Sequence, residues 1–366
     1  MKVLLVGEFS GFHRALKLGL QELDHEVILA GSPDGFKSIP IDVNLWPSVQ
    51  VTNKLLFAFF KQISIYNGLK KLPDVDVVQF ISPMRFHNSL PVYGKWFNSF
   101  VYQSFIKKSN KSFLVACGND PVYSQIGKNK VGYNPLDAES KITGIVSSKT
   151  TDQKALSWNI ELAKRLNGVI PASYDYRVGY ETFSDDINLS STIPMPIMTS
   201  EYEYSENRLN NGKIRILHGI TRPEMKGTPI ILEALERIKE KYPDEVEIRT
   251  VNRLTYAEYL NEIQNANCLI DQCNSYGYGI NALIGLAMGK VVMSGAEPEE
   301  LNALNVADCP VINIRPDADD IYSKVEQLIV NKHKFQEFGA ASRKYVEEVH
   351  DAVKVAERYV KFWSQS

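Results

Sequence analysis

Short apolar runs bounded by Gly, Asn, Asp or Pro alternate along the chain with longer stretches in which apolar residues recur every three or four positions. Residues 2–6 form the first such run, and residues 12–23 have the spacing of a helix with one buried face. Short runs of this kind fit fully buried strands, and their alternation with helices is typical of βαβ units on a parallel sheet. We therefore predict an α/β fold.

The alternation occurs twice. In the first series, apolar runs predict strands at 2–6, 27–30, 42–45, 75–81, 112–116 and 168–171. Helical spacing between them predicts helices at 12–23, 53–72, 92–107 and 155–166. Residues 123–150 are rich in Gly and Asn and blur the pattern, which indicates an insertion or an active-site loop.

A second series follows a polar, proline-punctuated stretch at residues 184–212. It predicts strands at 214–217, 246–250, 268–271, 291–293 and 311–314, and helices at 229–241, 255–264, 280–288, 318–331 and 335–363. We predict two Rossmann-like, doubly wound parallel-sheet domains facing a cleft. The first spans residues 1–200 and the second 213–350, with the final helix, 351–366, packing back on the first.

Length and charge agree with this division and exclude some functions. A chain of 366 residues suits two domains, and a formal net charge of -2 gives no support to a nucleic-acid binder. No apolar stretch reaches the ~18 residues that cross a bilayer. The apolar run near the N-terminus is too short for a signal peptide. We expect a cytoplasmic protein, with peripheral contact at the inner face of the membrane as the alternative.

The first candidate loop follows strand 2–6 and contains Gly7, Ser10 and Gly11. Ligands of open parallel sheets bind beyond the carboxyl ends of the strands, where glycines and helix N-termini allow close approach. The loop is not GxGxxG, which argues against a dinucleotide site and an NAD-dependent enzyme. We predict an acceptor-side loop; a tight turn without a ligand is the alternative.

Two further loops lie at the corresponding positions of the second domain. Arg222, Lys226 and Gly227 follow strand 214–217, where two cations and nearby amides suit a diphosphate; a solvated basic loop is the alternative. The other loop runs into helix 280–288 and carries aromatic, glycine and amide residues suited to a base or a sugar. Its candidate donor-binding residues are Tyr276, Gly277, Tyr278, Gly279 and Asn281. Packed aromatics with glycines at a helix start are the alternative.

Residues 218–234 and 266–293 resemble the strand–loop–helix and the "IDQ…GYG…AMGK" block of bacterial group-one, retaining GT-B glycosyltransferases. In the first domain, residues 117–120 look like the "HGSD" turn of that family. The resemblance implies transfer of a sugar from a nucleoside diphosphate-sugar to an acceptor hydroxyl, with retention, in polysaccharide or glycoconjugate synthesis. A glycan or a lipid-linked sugar is the implied acceptor.

One departure from the family pattern concerns two glutamates that contact the donor sugar and ribose. Tyr276 and Ile284 stand at those positions. The acidic run at 294–300 offers a substitute, of which we select Glu299; a solvated helix start is the alternative. The loss also motivates a second hypothesis, a non-catalytic GT-B protein that binds a nucleotide sugar or a protein partner.

Candidates for a catalytic base are Asp120 and His13, both at the carboxyl edge of the first predicted sheet. We expect no metal and no further cofactor, since basic residues take the place of a cation. Asp74 and Asp76 form a DxD pattern but lie at the wrong end of a strand, and residues 317–320 suit a helix start.

Aromatic residues within predicted helix 92–107 lie close in sequence to lysines, a mixture suited to a membrane that carries a lipid-linked acceptor. They are Trp96, Phe97, Phe100, Tyr102 and Phe105, beside Lys95, Lys107 and Lys108. The alternative is ordinary packing of these aromatics on the sheet.

Overall fold

The computed structural model of the chain describes residues 1–32, 39–47, 52–82, 94–144 and 152–366. Within these ranges the strands form one sheet of six and one of five. The strands of the first sheet are β1 (Lys2–Val6), β2 (Glu26–Gly31), β3 (Val43–Asn44), β4 (Val75–Ile81), β5 (Ser109–Ala116) and β6 (Gly168–Pro171). Those of the second are β7 (Ile214–Gly219), β8 (Val246–Val251), β9 (Cys268–Ile270), β10 (Val291–Ser294) and β11 (Ile312–Asn313).

The helices connect successive strands and cover both faces of each sheet. In the first domain they are α1 (Phe12–Glu22), α2 (Lys54–Lys71), α3 (Gly94–Ile106), α4 (Pro121–Gln125), α5 (Pro135–Thr143), α6 (Gln153–Ala163) and α7 (Tyr174–Tyr180). Those that follow are α8 (Pro223–Lys226), α9 (Thr228–Lys241), α10 (Tyr256–Asn265), α11 (Ile280–Ala287), α12 (Pro298–Leu304), α13 (Ala318–Val330), α14 (Phe335–Val349) and α15 (Ala352–Gln365). None of the helices in the described ranges is long and apolar enough to span a bilayer.

Every pairing between neighbouring strands is parallel. The strand order is β3-β2-β1-β4-β5-β6 in the first sheet and β11-β10-β9-β7-β8 in the second. Both orders turn back on themselves beside the first strand of the series, as doubly wound sheets do. The predicted fold class, two doubly wound α/β domains, is therefore confirmed.

Alternate residues of β1 enter different cores because successive side chains of a strand point to opposite faces. Val3 and Leu5 pack with α1 and α15, whereas Leu4 and Val6 pack with α2, α3 and α6. Both faces of the sheet are thus covered by helices. This explains why the strands are continuous apolar runs in the sequence.

The structure differs from the sequence prediction mainly in short helices. The segment predicted as an insertion, 123–150, contains α5 and a 3-10 turn at Gly127–Lys130, and its last six residues lie outside the described ranges. Helices α7 and α12 were not predicted, because seven residues are too few to display helical periodicity. The single helix predicted at 335–363 is two helices, separated at His350 and Asp351.

Helix α15 lies on the first sheet although it ends the chain. Trp363 is buried, and its Nε1 donates a hydrogen bond to Gln79 Oε1 at 3.2 Å. Gly19 of α1 lies so close to Ala352 that an added Cβ would be 2.1 Å from its carbonyl oxygen. The chain therefore returns to the first domain after the second is complete. The predicted domain limits at residues 200 and 213 stay predictions.

Truncating Trp363 to Ala is expected to lower the free energy of unfolding by about 3–5 kcal/mol, because it leaves a cavity in a closed core and orphans the Gln79 carbonyl. Urea denaturation followed by far-UV circular dichroism measures the change. Lys361→Ala, exposed on the same helix, is the control and should stay near the wild type. Equal effects of the two substitutions would show that α15 contributes little to stability.

Candidate active-site cleft

The carboxyl ends of the two sheets face each other across a closed cleft. Helix α5 of the first domain packs against α8 of the second. Next to this contact, the backbone N–H of Gly132 donates to the hydroxyl of Tyr276 at 2.9 Å. The segment predicted as an active-site loop therefore spans the cleft and touches the second domain.

The loop after β1 is a tight turn whose polar groups are already engaged. Gly7, Ser10 and Gly11 have φ values of 91°, 55° and 92°, in the left-handed region that favours glycine. The buried Glu8 carboxylate accepts hydrogen bonds from the amides of Gly11 (2.7 Å) and Arg14 (2.8 Å). Amides of α1 that we expected to be open to a ligand are thus occupied by Glu8.

His13 lies in the core rather than at the cleft surface. Its Nδ1 donates to the carbonyl of Gly7 at 2.9 Å, and its Nε2 accepts from Gln79 Nε2 at 3.2 Å. Burial lowers the pKa of His13 to about 3, so the ring is neutral at physiological pH. With both nitrogens engaged, His13 holds the loop after β1, and this placement does not support its role as a catalytic base.

Asp120 caps a helix. Its Oδ1 accepts from the amides of Val122 (2.8 Å) and Tyr123 (3.1 Å), and its Oδ2 accepts from the hydroxyl of Tyr180 (2.8 Å). Burial raises the pKa of Asp120 to about 6 despite these bonds. The side chain is fully buried, which favours a structural role over the predicted catalytic one.

Arg222 projects from the loop after β7, at the position predicted for a diphosphate-binding cation. The residue is exposed and has a φ of 49°, in the left-handed region. Its guanidinium makes no hydrogen bond or ion pair in the described part of the chain, whereas its carbonyl oxygen accepts from the amide of Lys226 at 3.1 Å. Gly227, with a φ of 77°, closes α8 so tightly that an added Cβ would be 2.3 Å from Cys273 Sγ.

Lys226, the other predicted cation, is paired within its own domain. Its Nζ lies 2.7 Å from Asp271 Oδ1, which also accepts from Asn281 Nδ2 at 2.8 Å. Although burial opposes ionisation, the neighbouring Lys226 lowers the pKa of Asp271 below its usual value. Lys226 and Asn281 therefore lie together at Asp271, and their role in donor binding stays a prediction. Their observed contact, however, is a buried carboxylate that sequence analysis did not identify as their partner.

The two candidate tyrosines of the third loop differ in position. Tyr276 is half-buried between the domains, with ring centroids 4.9 Å from Tyr133 and 5.9 Å from Tyr174. Tyr278 is buried, and its hydroxyl bonds to His350 Nε2 at 3.0 Å. Tyr276 thus lines the cleft, whereas Tyr278 belongs to the core, as the packed-aromatic alternative proposed.

The two glycines beside these tyrosines, Gly277 and Gly279, have different surroundings. Gly277 is buried against Glu300, whose carboxyl carbon would lie 2.9 Å from an added Cβ. Gly279 is the N-cap of α11 and has open space where a Cβ would be. Only Gly277 is therefore fixed by a close approach.

The acidic run before and within α12 is not uniformly solvated. Glu299 is exposed and lines an open pocket between the domains with Tyr174 and Arg177. Glu297 is buried, forms a bidentate ion pair with Arg315 at 2.8 and 2.9 Å, and accepts from Tyr133. The ion pair with Arg315 lowers the pKa of Glu297 to about 2.

Glu300 and Asp175 form a pair of buried carboxyl groups between the domains that sequence analysis missed. Glu300 Oε2 accepts from the amide of Tyr174 at 2.6 Å, and Asp175 Oδ2 accepts from Ser275 Oγ at 3.0 Å. Burial, reinforced by Asp175, raises the pKa of Glu300 to about 8, and burial raises that of Asp175 to about 6. Asp175 Oδ1 is buried without a hydrogen-bond partner.

Two acidic patterns rejected as metal sites have structural roles. Asp76 accepts from the amide of Lys2 at 2.8 Å, at the amino end of the first sheet and away from the cleft. Asp317 caps α13 by accepting from the amide of Asp319 at 2.8 Å. The latter confirms the predicted helix start.

The aromatic residues predicted to touch a membrane are divided between core and surface. Tyr102 and Phe105 are buried in the first domain, as the packing alternative proposed, while Phe100 is exposed. Lys95, Trp96 and Phe97 lie outside the residues whose side chains the structure describes.

Comparison with solved structures gives the fold a name. Sucrose-phosphate synthase from Thermosynechococcus elongatus is 13% identical, with a TM-score of 0.64 over 100% of this chain and 99% of that one. The Anabaena protein HepE in complex with UDP is 10% identical, with a TM-score of 0.60 over all of both chains. A glycosyltransferase from Rickettsia africae is 15% identical, with a TM-score of 0.56 over 100% and 98%. The chain has the GT-B fold.

Other comparisons restrict what this likeness means. No family model and no curated protein matches the sequence. UDP-GlcNAc 2-epimerase from Neisseria meningitidis, bound to UDP-GlcNAc, shares the GT-B architecture at 12% identity and a TM-score of 0.55 over all of both chains. The fold therefore accommodates transfer and epimerisation alike, and residues of the cleft have to distinguish between them.

Replacing Glu300 by Gln is expected to flatten the pH dependence of stability. In the folded chain the carboxyl group of Glu300 keeps its proton up to about pH 8, because its pKa is raised to about 8. In the unfolded chain the same group loses the proton near its usual pKa of 4.5. The free energy of unfolding of the wild type should therefore fall across this window, by at most about 1.4 kcal/mol per pH unit for this group. The amide stays neutral and still accepts from Tyr174.

Thermal and urea unfolding between pH 5 and 8 tests this expectation. Glu299→Gln, exposed on the same helix, is the matched control and should retain the wild-type slope. If Glu300→Gln and the wild type fall in parallel, Glu300 is ionised in the folded chain.

Proposed function

We propose that the protein is a glycosyltransferase that moves a sugar from a nucleoside diphosphate-sugar to an acceptor hydroxyl. The observation that carries this proposal is Arg222, an exposed guanidinium held at the carboxyl end of β7 with no protein partner in the described ranges. Guanidinium groups bind phosphate oxygens through two parallel hydrogen bonds. A fixed cation there stabilises the charge that develops on a leaving diphosphate.

The donor in this proposal occupies the second domain, between the loops after β7 and β9. Solved structures of HepE contain UDP, UDP with glucose, or UDP-glucose, which supports a nucleotide sugar as ligand of this fold. Lys226 and Asn281 shape the floor of the site through Asp271. Closure of the first domain over it excludes water, whose attack on the donor is the competing reaction.

The acceptor and the stereochemistry of the proposed reaction follow from the family resemblance. The resemblance of residues 218–234 and 266–293 to retaining enzymes supports retention of configuration, in polysaccharide or glycoconjugate synthesis. A glycan or a lipid-linked sugar is the proposed acceptor, and the second of these calls for peripheral contact with a membrane. The proposed reaction uses no metal, since basic residues take the place of a cation.

A non-catalytic nucleotide-sugar binder is the second candidate, and a specific observation favours it. Tyr276 and the buried Ile284 occupy the positions at which related enzymes carry glutamates. Neither can accept a hydrogen bond as a carboxylate does. Two of the acidic groups near this loop are engaged, Glu297 by Arg315 and Glu300 by the amide of Tyr174, while Glu299 is exposed.

Arg222→Ala is expected to weaken binding of the matching nucleoside diphosphate about tenfold or more, since a charged hydrogen bond contributes about 1.5–3 kcal/mol. A thermal-shift screen of the wild type first identifies the nucleobase of the preferred ligand. The screen compares UDP, GDP, CDP, ADP and their sugar conjugates, with NAD as a comparison. Titration calorimetry then compares the variants. Turnover of the sugar conjugate with and without acceptor separates transfer from hydrolysis, epimerisation and binding alone.

Arg208→Ala provides the matched control. Arg208 is equally exposed but precedes β7, at the amino end of the strand and away from the cleft. It should bind the nucleotide like the wild type. Unchanged affinity in Arg222→Ala would remove the diphosphate assignment, and binding without turnover would favour the non-catalytic candidate.

A further inference from the structure

Helix α2 carries a stripe of exposed apolar side chains along its outer face. Apart from the adjacent pair Phe59 and Phe60, successive members are three residues apart, which places them on one side of a helix. They are Leu56, Phe59, Phe60, Ile63 and Tyr66, with exposed fractions of 50%, 56%, 38%, 41% and 47%. The opposite side of the helix, with Ile65 and Leu69, is buried in the first domain.

This stripe is unusual for the molecule. Five of the eleven exposed large hydrophobic side chains among the described residues lie on this one helix. Single exposed hydrophobic residues are normal on protein surfaces, whereas a contiguous cluster marks an interaction site. Phe100 is also exposed on α3, which packs against α2.

Positive charge is concentrated in the same part of the chain. Residues 43–119 contain nine Lys and Arg but only two acidic residues, a net charge of +7, so the rest of the chain carries -9. Helix α2 contributes four lysines and no acidic residue. Lys70 lies over the ring of Tyr66 at 4.3 Å, and Lys71 is exposed beside it.

We propose that the outer face of α2 docks on a membrane surface containing anionic lipids. A basic helix with one apolar, aromatic-rich face has the composition of helices that lie in the bilayer interface. The apolar side chains enter the headgroup boundary and the lysines meet lipid phosphates. A two-fold contact between copies through this face would instead place the lysines of both helices beside each other, which like charges oppose.

Docking through α2 also sets the orientation of the protein. The helix follows β3 in the chain, so its first turns, with Leu56 and Phe59, lie towards the carboxyl edge of the sheet and the cleft. The acceptor side of the cleft would then face the membrane. This orientation rests on the proposed function, whereas the docking itself does not.

Flotation with lipid vesicles tests the proposal. The full chain is expected to float with vesicles of equal phosphatidylglycerol and phosphatidylcholine, and not with phosphatidylcholine alone. Binding should weaken as salt is raised, because surface charges are screened. Two double variants, Phe59→Ser with Ile63→Ser and Lys70→Glu with Lys71→Glu, should each reduce binding about tenfold or more.

A matched control replaces an exposed apolar residue elsewhere, Val330→Ser, and should float like the wild type. Thermal unfolding and nucleotide-induced thermal shifts of every variant should stay at wild-type values, which separates docking from donor binding. The proposal is overturned if the wild type does not bind the anionic vesicles, or if the α2 variants bind them as well as the control does. Light scattering that shows a dimer lost in the Phe59 variant, with vesicle binding unchanged, would assign the face to a second copy instead.

Discussion

The chain crosses between the domains twice, and hydrogen bonds between the two crossings fix how the sheets face each other. The amide of Ile197 donates to the carbonyl of His350 at 2.8 Å, and that of Ala352 donates to Ile197 at 2.9 Å. His350 is buried at this point, where its Nδ1 donates to Met195 and its Nε2 accepts from Tyr278. Burial lowers the pKa of His350 to about 4, so the neutral ring supplies the one donor and one acceptor that the site requires.

The two crossings around Ile197 and His350 form a hinge between the domains. The cleft side of the interface has contacts of a different kind. Its contacts include hydrogen bonds between loops, such as Gly132 with Tyr276 and Tyr133 with Glu297, beside the packed rings of Tyr133, Tyr174 and Tyr276. Each such bond contributes about 1 kcal/mol, because water replaces the partner when the bond opens. At the hinge, opening would expose Ile197 and Tyr278, which are buried. In the proposed function, opening at the cleft about this hinge is the motion that admits a donor.

Local patterns predicted the framework well, because each buried strand and each long helix has its own periodicity. Strands 2–6, 75–81 and 168–171 were predicted residue for residue, and the helix crossing back at 351–366 lies on the first sheet. The short helices α7 and α12 carry too few residues to show a period. Together they form the part of the cleft with Asp175 and Glu300, so the two carboxyl groups of raised pKa lay where sequence patterns are weakest.

Side-chain partners on separate loops and strands were unpredictable for a different reason. Arg222 and Lys226 lie four residues apart, yet one is exposed and the other is paired with Asp271, because only the meeting of two loops brings that carboxylate to Lys226. The same holds for His13, whose position beside a predicted ligand loop suggested chemistry. Its ring contacts Gln79 of β4, which is 66 residues away in the sequence, and this contact makes His13 a core residue. The sequence around a residue can predict that it lies at the edge of a sheet. Whether its side chain is buried depends on residues far away in the sequence.

Burial of Glu300 is itself a consequence of the closed cleft, since its carboxyl group lies beneath Gly277 and accepts from Tyr174 of the other domain. Low dielectric surroundings and the neighbouring Asp175 are what raise its pKa to about 8. Any opening that brings water to Glu300 removes both causes and returns the pKa towards its usual value. Near neutral pH the closed form then holds a proton that the open form releases. By linkage, a rise in pH favours the open form, and the carboxylate becomes charged at the moment when the cleft is accessible.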